Sequence, residues 1–299
     1  MWCPVPDLKK FRNRVESTFP GRCLSAFARM QGLDRAMVIA SQAFTALIPL
    51  LIIVSAVLPT GSASTVSDAV IRKFALDGDS AAAVAVVFAH PEVSSVRLGS
   101  LLLLVFSGVS LTRRMQRMFQ DAWGLAPVAG PRGSLHAALG LVVILVEVAL
   151  LYLLRTMLQS VPFDWALSVP LSVGAGVVLW TTIPWLLLDR RLGWRRLLPT
   201  GALVGLSAIL YGVATTWYMP RLMESYSERY GLFGVTIAVV GWLLCIALIL
   251  VVGTVVAAEF DRAPEPWARH ARAALRTGSP TTPPVGVVTD GTSDPVRTD

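Results

Sequence analysis

One acidic residue lies deep in an apolar stretch, where a carboxyl group could do chemistry. Glu147 is about 12 positions into the run that starts near Leu135, so a helix would place it about 18 Å along its axis. A carboxyl group at that depth in a membrane is costly and usually points inward. Glu147 could couple a proton or contact a polar substrate. Alternatively, a protonated Glu147 would hydrogen-bond a neighbouring helix and only stabilise the bundle. The sequence leaves both readings open.

Further polar residues fall at helical spacing and could share a cavity with Glu147. His136 lies eleven positions before it, on the same predicted face. Ser41 and Thr45 precede Pro49 at intervals of four, and Gln42 lies beside them. A proline inside a membrane helix frees backbone carbonyl groups, which need polar partners. These residues therefore predict an intramembrane polar cavity, or, as the alternative, side chains that only satisfy the kink.

Two arginine clusters lie at the edges of apolar runs. Arginine there sets the orientation of a membrane protein, and a guanidinium group can also contact a lipid phosphate. The residues for which we predict headgroup contacts are Arg113, Arg114, Arg117, Arg190, Arg191, Arg195 and Arg196.

A stripe of small residues indicates a site of close helix packing. Gly201, Gly205, Ala208 and Gly212 follow one another at intervals of four, three and four, so they share one helix face. Small side chains let a second helix approach closely in a membrane. The pattern predicts tight packing, either within the chain or between subunits, and it leaves the oligomeric state open.

Composition indicates what must surround these residues. The 299 residues are 54% hydrophobic and only 15% charged, whereas a soluble domain has about 25% charged residues. The charges are clustered, which leaves several stretches of about 20 apolar residues, long enough to cross a bilayer. We therefore predict an all-α, polytopic membrane bundle of six helices. The predicted spans are 37–58, 98–118, 135–158, 165–188, 197–218 and 232–258.

Three segments flank or separate the predicted spans. Residues 1–36 contain a basic amphipathic pattern, typical of a helix in the headgroup region, with a solvated tail as the alternative. Residues 60–96 hold two apolar runs too short to span, which we expect to be interfacial helices. Residues 261–299 begin with a short basic helix, predicted up to Arg276, and continue as a tail rich in Pro, Thr, Gly and Ser, which predicts disorder.

The distribution of positive charge predicts the orientation. If both termini are cytoplasmic, 20 of the 26 Lys and Arg residues fall in inner segments and 6 in outer segments. This bias follows the positive-inside rule. We therefore expect a multi-pass protein of the plasma, or inner, membrane. The net charge of +7 then reflects topology and lipid contacts, so we expect lipids rather than nucleic acid as partners.

Signals for catalysis are weak in the sequence. The histidines His90, His136 and His270 lie on different segments, and no HExxH pattern is present. The cysteines Cys3, Cys23 and Cys245 have no metal-ligand spacing. The sequence also lacks a Walker loop and a Gly-x-Ser-x-Gly elbow. We expect no catalytic residues, metal or cofactor, and no enzymatic activity.

Four motifs in order resemble one family of membrane proteins. They are AFTALIPLL from Ala43, SLTRRMQRMFQDAWG ending at Gly124, IPWLLLDRRLGWRRLLPTGA from Ile183, and YGLFG…GWLLCIALILVVGTVVAAE from Tyr230 to Glu259. Together they resemble the YihY/virulence factor BrkB family of bacterial inner-membrane proteins, over roughly residues 20–262. The family pattern has a second acid in the last helix, where this chain has Thr254 and Val255 instead.

The resemblance implies a role in the envelope rather than a defined reaction. Members of the family were once mislabelled ribonuclease BN, and the family is otherwise linked to virulence or to handling of envelope lipids. The resemblance and Glu147 together favour a transporter or flippase of a lipid or amphiphilic envelope component. The alternative is a non-transporting scaffold or envelope-integrity factor, and a ribonuclease is disfavoured. Glu259, with Asp261 and Arg262, is expected to form a solvated helix end.

Overall fold

The computed structural model describes residues 18–57, 94–127, 138–143, 145–146, 165–230 and 232–276. These residues form seven helices, and residues 138–143 and 145–146 are also helical. The helices are α1 Phe19–Arg29, α2 Gly32–Val57, α3 Ser94–Trp123, α4 Trp165–Leu187, α5 Trp194–Tyr230, α6 Leu232–Arg262 and α7 Pro266–Arg276. No strand occurs among these residues, so the predicted all-α class is confirmed for the described part.

Helices α1 to α6 belong to one compact unit, which ends at Ala263, and α7 belongs to a second unit from Pro264 onward. Within the first unit, α5 packs against both α4 and α6, and α2 packs against both α3 and α6. The buried core includes Phe119 of α3, Leu187 of α4, Leu197 of α5 and Val251 of α6. Five helices therefore meet around one apolar core at the end where α3, α4 and α6 terminate and α2 and α5 begin.

Local sequence explains several of the helix ends. Thr18 accepts a hydrogen bond from the Gly21 amide at 3.3 Å and so caps the start of α1. Gln31 has a φ of 53°, a left-handed conformation that separates α1 from α2. Asp189 and Arg190 have φ values of 57° and 56° and form the turn after α4. α2 runs through Pro49 as one helix.

Helix α3 shows how the chain leaves its apolar region. It continues without a break from Ser94 to Trp123 through the basic residues, as the helical spacing of Met115, Met118 and Ala122 in the sequence predicts. Its first half exposes large apolar side chains, with Phe106 78% exposed. Its second half buries Met115, Met118 and Ala122, which follow the helical period and pack into the core.

Among the residues that the structure describes, two helices are long and apolar enough to cross a membrane, namely the stretches Trp194–Tyr226 and Phe233–Arg262. A shorter apolar stretch covers Val173–Leu187. Large apolar side chains are exposed along both long helices, including Trp217 and Phe233, as expected for helices in contact with lipid. The number of spans and the cytoplasmic termini stay predictions. Much of the third predicted span and the tail after Arg276 lie outside the described residues.

The predicted orientation can be tested at the turn between α4 and α5. Gly193 is exposed, and no atom lies within 4 Å of the position of an added Cβ, so Gly193→Cys should fold normally. In a background with the native cysteines changed to serine, a membrane-impermeant maleimide should label this cysteine only after the cells are permeabilised.

The matched control is Ser80→Cys, in a segment that is predicted to lie outside, which should be labelled in intact cells. Labelling of Gly193→Cys in intact cells would contradict the predicted topology.

Candidate functional site: charged clefts at the end of the bundle

The last three turns of α3 present two different faces. The buried face carries Met115, Met118 and Phe119, which anchor the helix in the core. Arg114, Arg117 and Asp121 are exposed on the other side. Because a helix repeats every 3.6 residues, positions three and four apart share one face. The end of α3 is therefore a rigid support for one row of charged side chains.

An ion pair joins this row to the start of α2. A terminal guanidinium nitrogen of Arg35 lies 2.5 Å from an Asp121 carboxylate oxygen. The Arg35 Nε also donates a hydrogen bond to the Met30 carbonyl oxygen at 2.6 Å, so the guanidinium group is held at two points. The pair fixes the distance between the two helices at this end.

A cleft of about 360 Å³ lies on one side of the ion pair. We call it the Arg114 cleft. Its walls come from the start of α2, the end of α3 and the segment after α3. The lining residues are Gln31, Asp34, Arg35, Val38, Ile39, Arg114, Arg117, Gln120, Asp121 and Pro127. Its volume falls within the range of small-molecule sites, about 300–1,000 Å³.

A second cleft of about 350 Å³ lies on the other side of the same ion pair. We call it the Glu259 cleft. Its lining residues are Ala26, Arg29, Met30, Arg35, Asp121, Ala122, Gly124, Leu125, Val255, Glu259 and Arg262. Arg35 and Asp121 thus border both clefts, which makes their ion pair the wall between them.

The expectation that Glu259 lies on a solvated helix end is wrong. Glu259 is only 7% exposed, and its carboxylate pairs with Arg262 at 3.1 Å. The reason is that the last turns of α6 pack against α1 and α3. Glu259 therefore faces the bundle, on the same side of α6 as the buried residues Val251, Val255 and Ala258.

Arg262 connects the buried carboxylate to α3. One of its terminal nitrogens donates to the Ala122 carbonyl oxygen at 2.8 Å, near the end of α3, where carbonyl groups lack partners within the helix. Burial raises the pKa of the nearby Cys23 thiol above its ordinary value, and the negative charge of Glu259 adds to that effect. The end of α6 is thus tied to α3 and acts electrostatically on α1.

Buried amide side chains of α3 form a further contact between helices at this end of the bundle. The Gln116 side chain donates to the Leu187 carbonyl oxygen at 2.9 Å, at the last residue of α4. Gln120 is also buried and lines the Arg114 cleft. The buried side of α3 carries a polar residue at every fourth position, namely Thr112, Gln116 and Gln120. This spacing is visible in the sequence and is the signal from which these buried residues could be predicted.

The seven predicted headgroup arginines have different surroundings. Arg114 and Arg117 line the Arg114 cleft, whereas Arg113 is half-buried outside its lining. Arg190 stacks on the Trp185 ring, 4.7 Å from its centroid. Arg191 donates to the Ala126 carbonyl oxygen at 3.1 Å. Lipid contact stays a prediction for all seven.

The two remaining arginines of that set lie in the first turn of α5. Arg196 pairs with Asp261 of α6 at 2.5 Å, and Arg195 is exposed. The Arg196 pair holds the start of α5 against the end of α6. This part of the arginine cluster therefore has a structural role in addition to any role in topology.

The predicted intramembrane cavity is described only in part. Glu147 and His136 lie outside the described residues. The Ser41 hydroxyl donates to the Val38 carbonyl oxygen at 3.0 Å, and the Thr45 hydroxyl donates to the Ser41 carbonyl oxygen at 2.9 Å. Both side chains are exposed, and Gln42 is half-buried. The shared cavity stays a prediction.

The small-residue stripe of α5 faces α4 at its first two positions. A Cβ added to Gly201 would overlap the Thr181 hydroxyl oxygen and lie 2.6 Å from the Val177 carbonyl oxygen. A Cβ added to Gly205 would lie 3.2 Å from the backbone of Gly176. Only residues without a side chain allow this approach between α4 and α5.

The other two positions of the stripe border a small apolar cavity. Ala208 and Gly212 line a space of about 180 Å³ together with Trp180 of α4, Tyr211 of α5 and Trp242 of α6. No atom lies within 4 Å of a Cβ added to Gly212. The stripe therefore packs closely against α4 in one half and leaves space in the other.

Comparison with known proteins identifies the family. The family model for virulence factor BrkB matches residues 23–276. The chain belongs to the virulence factor BrkB family. This match includes α2 to α7 and both charged clefts, and it confirms the resemblance drawn from the four motifs. No curated protein and no solved structure matches the chain. The family and the two long apolar helices together identify this BrkB family member as a membrane protein.

The packing of α5 on α4 predicts opposite effects for two alanine substitutions. Gly201→Ala should lower the melting temperature of the purified protein in detergent, because its methyl group overlaps α4. Such overpacking costs about 1–3 kcal/mol. Gly212→Ala is the matched control and should leave the melting temperature unchanged or raise it, since alanine favours a helix by about 1 kcal/mol over glycine. Equal melting temperatures for the two variants would contradict this packing.

Proposed function

We propose that this BrkB family protein moves a lipid or another amphiphilic component of the envelope across the membrane. The observation that carries the proposal is the Arg114 cleft, a charged, open site of about 360 Å³ at the end of an apolar helix bundle. An amphiphile needs polar groups for its head and apolar surroundings for its chains. The cleft supplies charged and amide side chains, and Val38 and Ile39 continue its wall toward the apolar part of α2.

The apolar cavity between α4, α5 and α6 supports the same proposal. Its walls include Trp180, Ile246 and Ile249, and it lies within the apolar stretches of α5 and α6. An apolar cavity accepts hydrocarbon in preference to water. A bundle with a charged cleft at one end and an apolar cavity within it offers separate environments to the two parts of an amphiphile.

The proposal includes the predicted topology and involves no chemical step. In a plasma membrane protein with six spans and cytoplasmic termini, the Arg114 cleft faces the cytoplasm, because the residues before α2 are on the inner side. Its occupant is then a lipid of the inner leaflet. Glu147, near the middle of its predicted span, is the candidate for a proton-coupling or polar-substrate group.

A scaffold for the envelope is the alternative. The observation that favours it is the set of ion pairs at the end of the bundle that carries the charged clefts. There Arg35, Arg196 and Arg262 each bind a carboxylate. A closely tied end is suited to a fixed binding surface rather than to movement. The α7 helix, which carries Arg269 and Arg272 beside Trp267, is typical of helices at a lipid surface. Such a protein would support envelope integrity or virulence without transport.

Reconstitution in liposomes tests the proposal. Lipids with a fluorescent headgroup are bleached from outside by dithionite, with and without an imposed pH gradient, so that both passive and proton-coupled movement are detected. The wild-type protein should expose inner-leaflet lipids to bleaching, and Glu147→Gln should abolish that exposure at unchanged abundance and melting temperature.

The matched control is Glu224→Gln, which removes an exposed carboxylate from α5 and should behave like the wild type. Bleaching no greater than in protein-free liposomes, under both conditions, would overturn the transport proposal and favour the scaffold. Loss of the folded protein in Glu147→Gln would instead assign Glu147 a structural role.

A further inference from the structure

The Arg114 cleft carries charges of both signs on two facing walls. Arg114 and Arg117 lie one turn apart on α3, so both guanidinium groups border the same part of the cleft. Asp34, in the first turn of α2, borders it from the other wall. A ligand in this cleft therefore meets two positive groups on one side and a carboxylate on the other.

The second acid of the cleft is already neutralised. Asp121 is held by Arg35 at 2.5 Å, and Arg35 also donates to the Met30 carbonyl oxygen. Within the described parts of the chain, by contrast, no ion pair engages Arg114, Arg117 or Asp34. These three side chains are exposed. They are the charges that the structure leaves available to a ligand.

The chemistry of these groups selects a ligand with both charges. Guanidinium groups bind phosphate through paired hydrogen bonds, which makes arginine well suited to phosphate recognition. A carboxylate attracts an ammonium group and repels a second anion. A headgroup with only negative charge would be disfavoured by Asp34, and one with only positive charge would be disfavoured by Arg114 and Arg117.

We propose that the Arg114 cleft binds the zwitterionic phosphate–amine headgroup of a phospholipid, with the phosphate at Arg114 and Arg117 and the ammonium group at Asp34. This inference names the substrate class of the proposed function and rests on it. The amides of Gln31 and Gln120 supply further hydrogen bonds, and Val38 and Ile39 form the apolar wall beside the lipid glycerol.

Binding measured without transport tests this assignment. The full-length protein, purified in detergent, is titrated by calorimetry with dihexanoyl phosphatidylethanolamine, dihexanoyl phosphatidylglycerol, free phosphoethanolamine and inorganic phosphate. The ethanolamine lipid should bind about tenfold more tightly than the glycerol lipid, which corresponds to about 1.4 kcal/mol, because only the amine gains a contact with Asp34. It should also bind more tightly than phosphoethanolamine or inorganic phosphate, since these two lack the glycerol and acyl groups.

Two sets of variants separate the two charges. Arg114→Gln combined with Arg117→Gln should lower the affinity for both lipids, since both lipids carry the phosphate. Asp34→Asn should lower the affinity for the ethanolamine lipid only, and the preference for this lipid over the glycerol lipid should disappear. Arg221→Gln and Glu224→Gln remove exposed charges from α5 outside the cleft and should change neither affinity. Melting temperatures of all variants should stay close to that of the wild type, because the substituted side chains are exposed. Asp34→Asn also loses the carboxylate in the first turn of α2, where a negative charge stabilises the helix, so a small decrease in its melting temperature is expected.

Several results would overturn the inference. Equal affinity of the wild type for the two lipids would do so, as would an unchanged affinity ratio in Asp34→Asn. Inorganic phosphate or phosphoethanolamine binding as tightly as the ethanolamine lipid would assign the cleft to a soluble phosphate compound. If selective binding fails while the wild type still moves lipid in liposomes, only this inference falls. If selective binding holds but no lipid moves, the proposed transport falls.

Discussion

The ion pair between Arg35 and Asp121 is the interaction on which the polar end of this molecule depends. It joins the first turn of α2 to the last turn of α3 and separates the two charged clefts. Partly exposed ion pairs are weak when isolated. This pair is reinforced, because Arg35 also holds the Met30 carbonyl oxygen and Arg262 holds the neighbouring Ala122 carbonyl oxygen. The clefts keep their shape through this set of contacts.

The same end of the bundle shows how an apolar chain accommodates its charges. Each helix satisfies its own backbone hydrogen bonds, which lets long apolar stretches lie in lipid. Several charged side chains lie near helix ends, and there they bind backbone carbonyl groups or one another, whereas Arg114, Arg117 and Asp34 form no ion pair within the described residues. Arg191, Arg196 and Arg262 form such contacts. A cationic side chain near a helix C-terminus is also stabilised by the helix dipole.

Sequence periodicity predicts those features of the fold that depend on residues close together along the chain, such as the extents of the helices. The stripe of Met115, Met118 and Ala122 indicated a continuous α3, and the apolar runs gave ends close to those observed for α4 and α6. The family was also identified correctly from its motifs. These features are set by neighbours along the chain, which a single sequence displays directly.

Contacts between distant segments were not predictable in this way. Nothing in the local sequence around Asp34, Arg35 and Asp121 indicates that these residues border one cleft. The sequence predicts a solvated Glu259, because its burial comes from the packing of α6 on α1 and α3, which depends on the whole bundle. Only the depth of Glu147 in an apolar run indicates a role for it, and that role stays a prediction.

A charge exchange tests the central ion pair most directly. Arg35→Asp and Asp121→Arg each place two like charges in contact, so each variant alone should lower the melting temperature of the purified protein in detergent. The double variant restores opposite charges and should recover part of that loss, although the bond to the Met30 carbonyl oxygen is absent. Residues in contact are coupled by about 0.5 kcal/mol or more. Additive losses in the double variant would contradict the contact and the account of the clefts built on it.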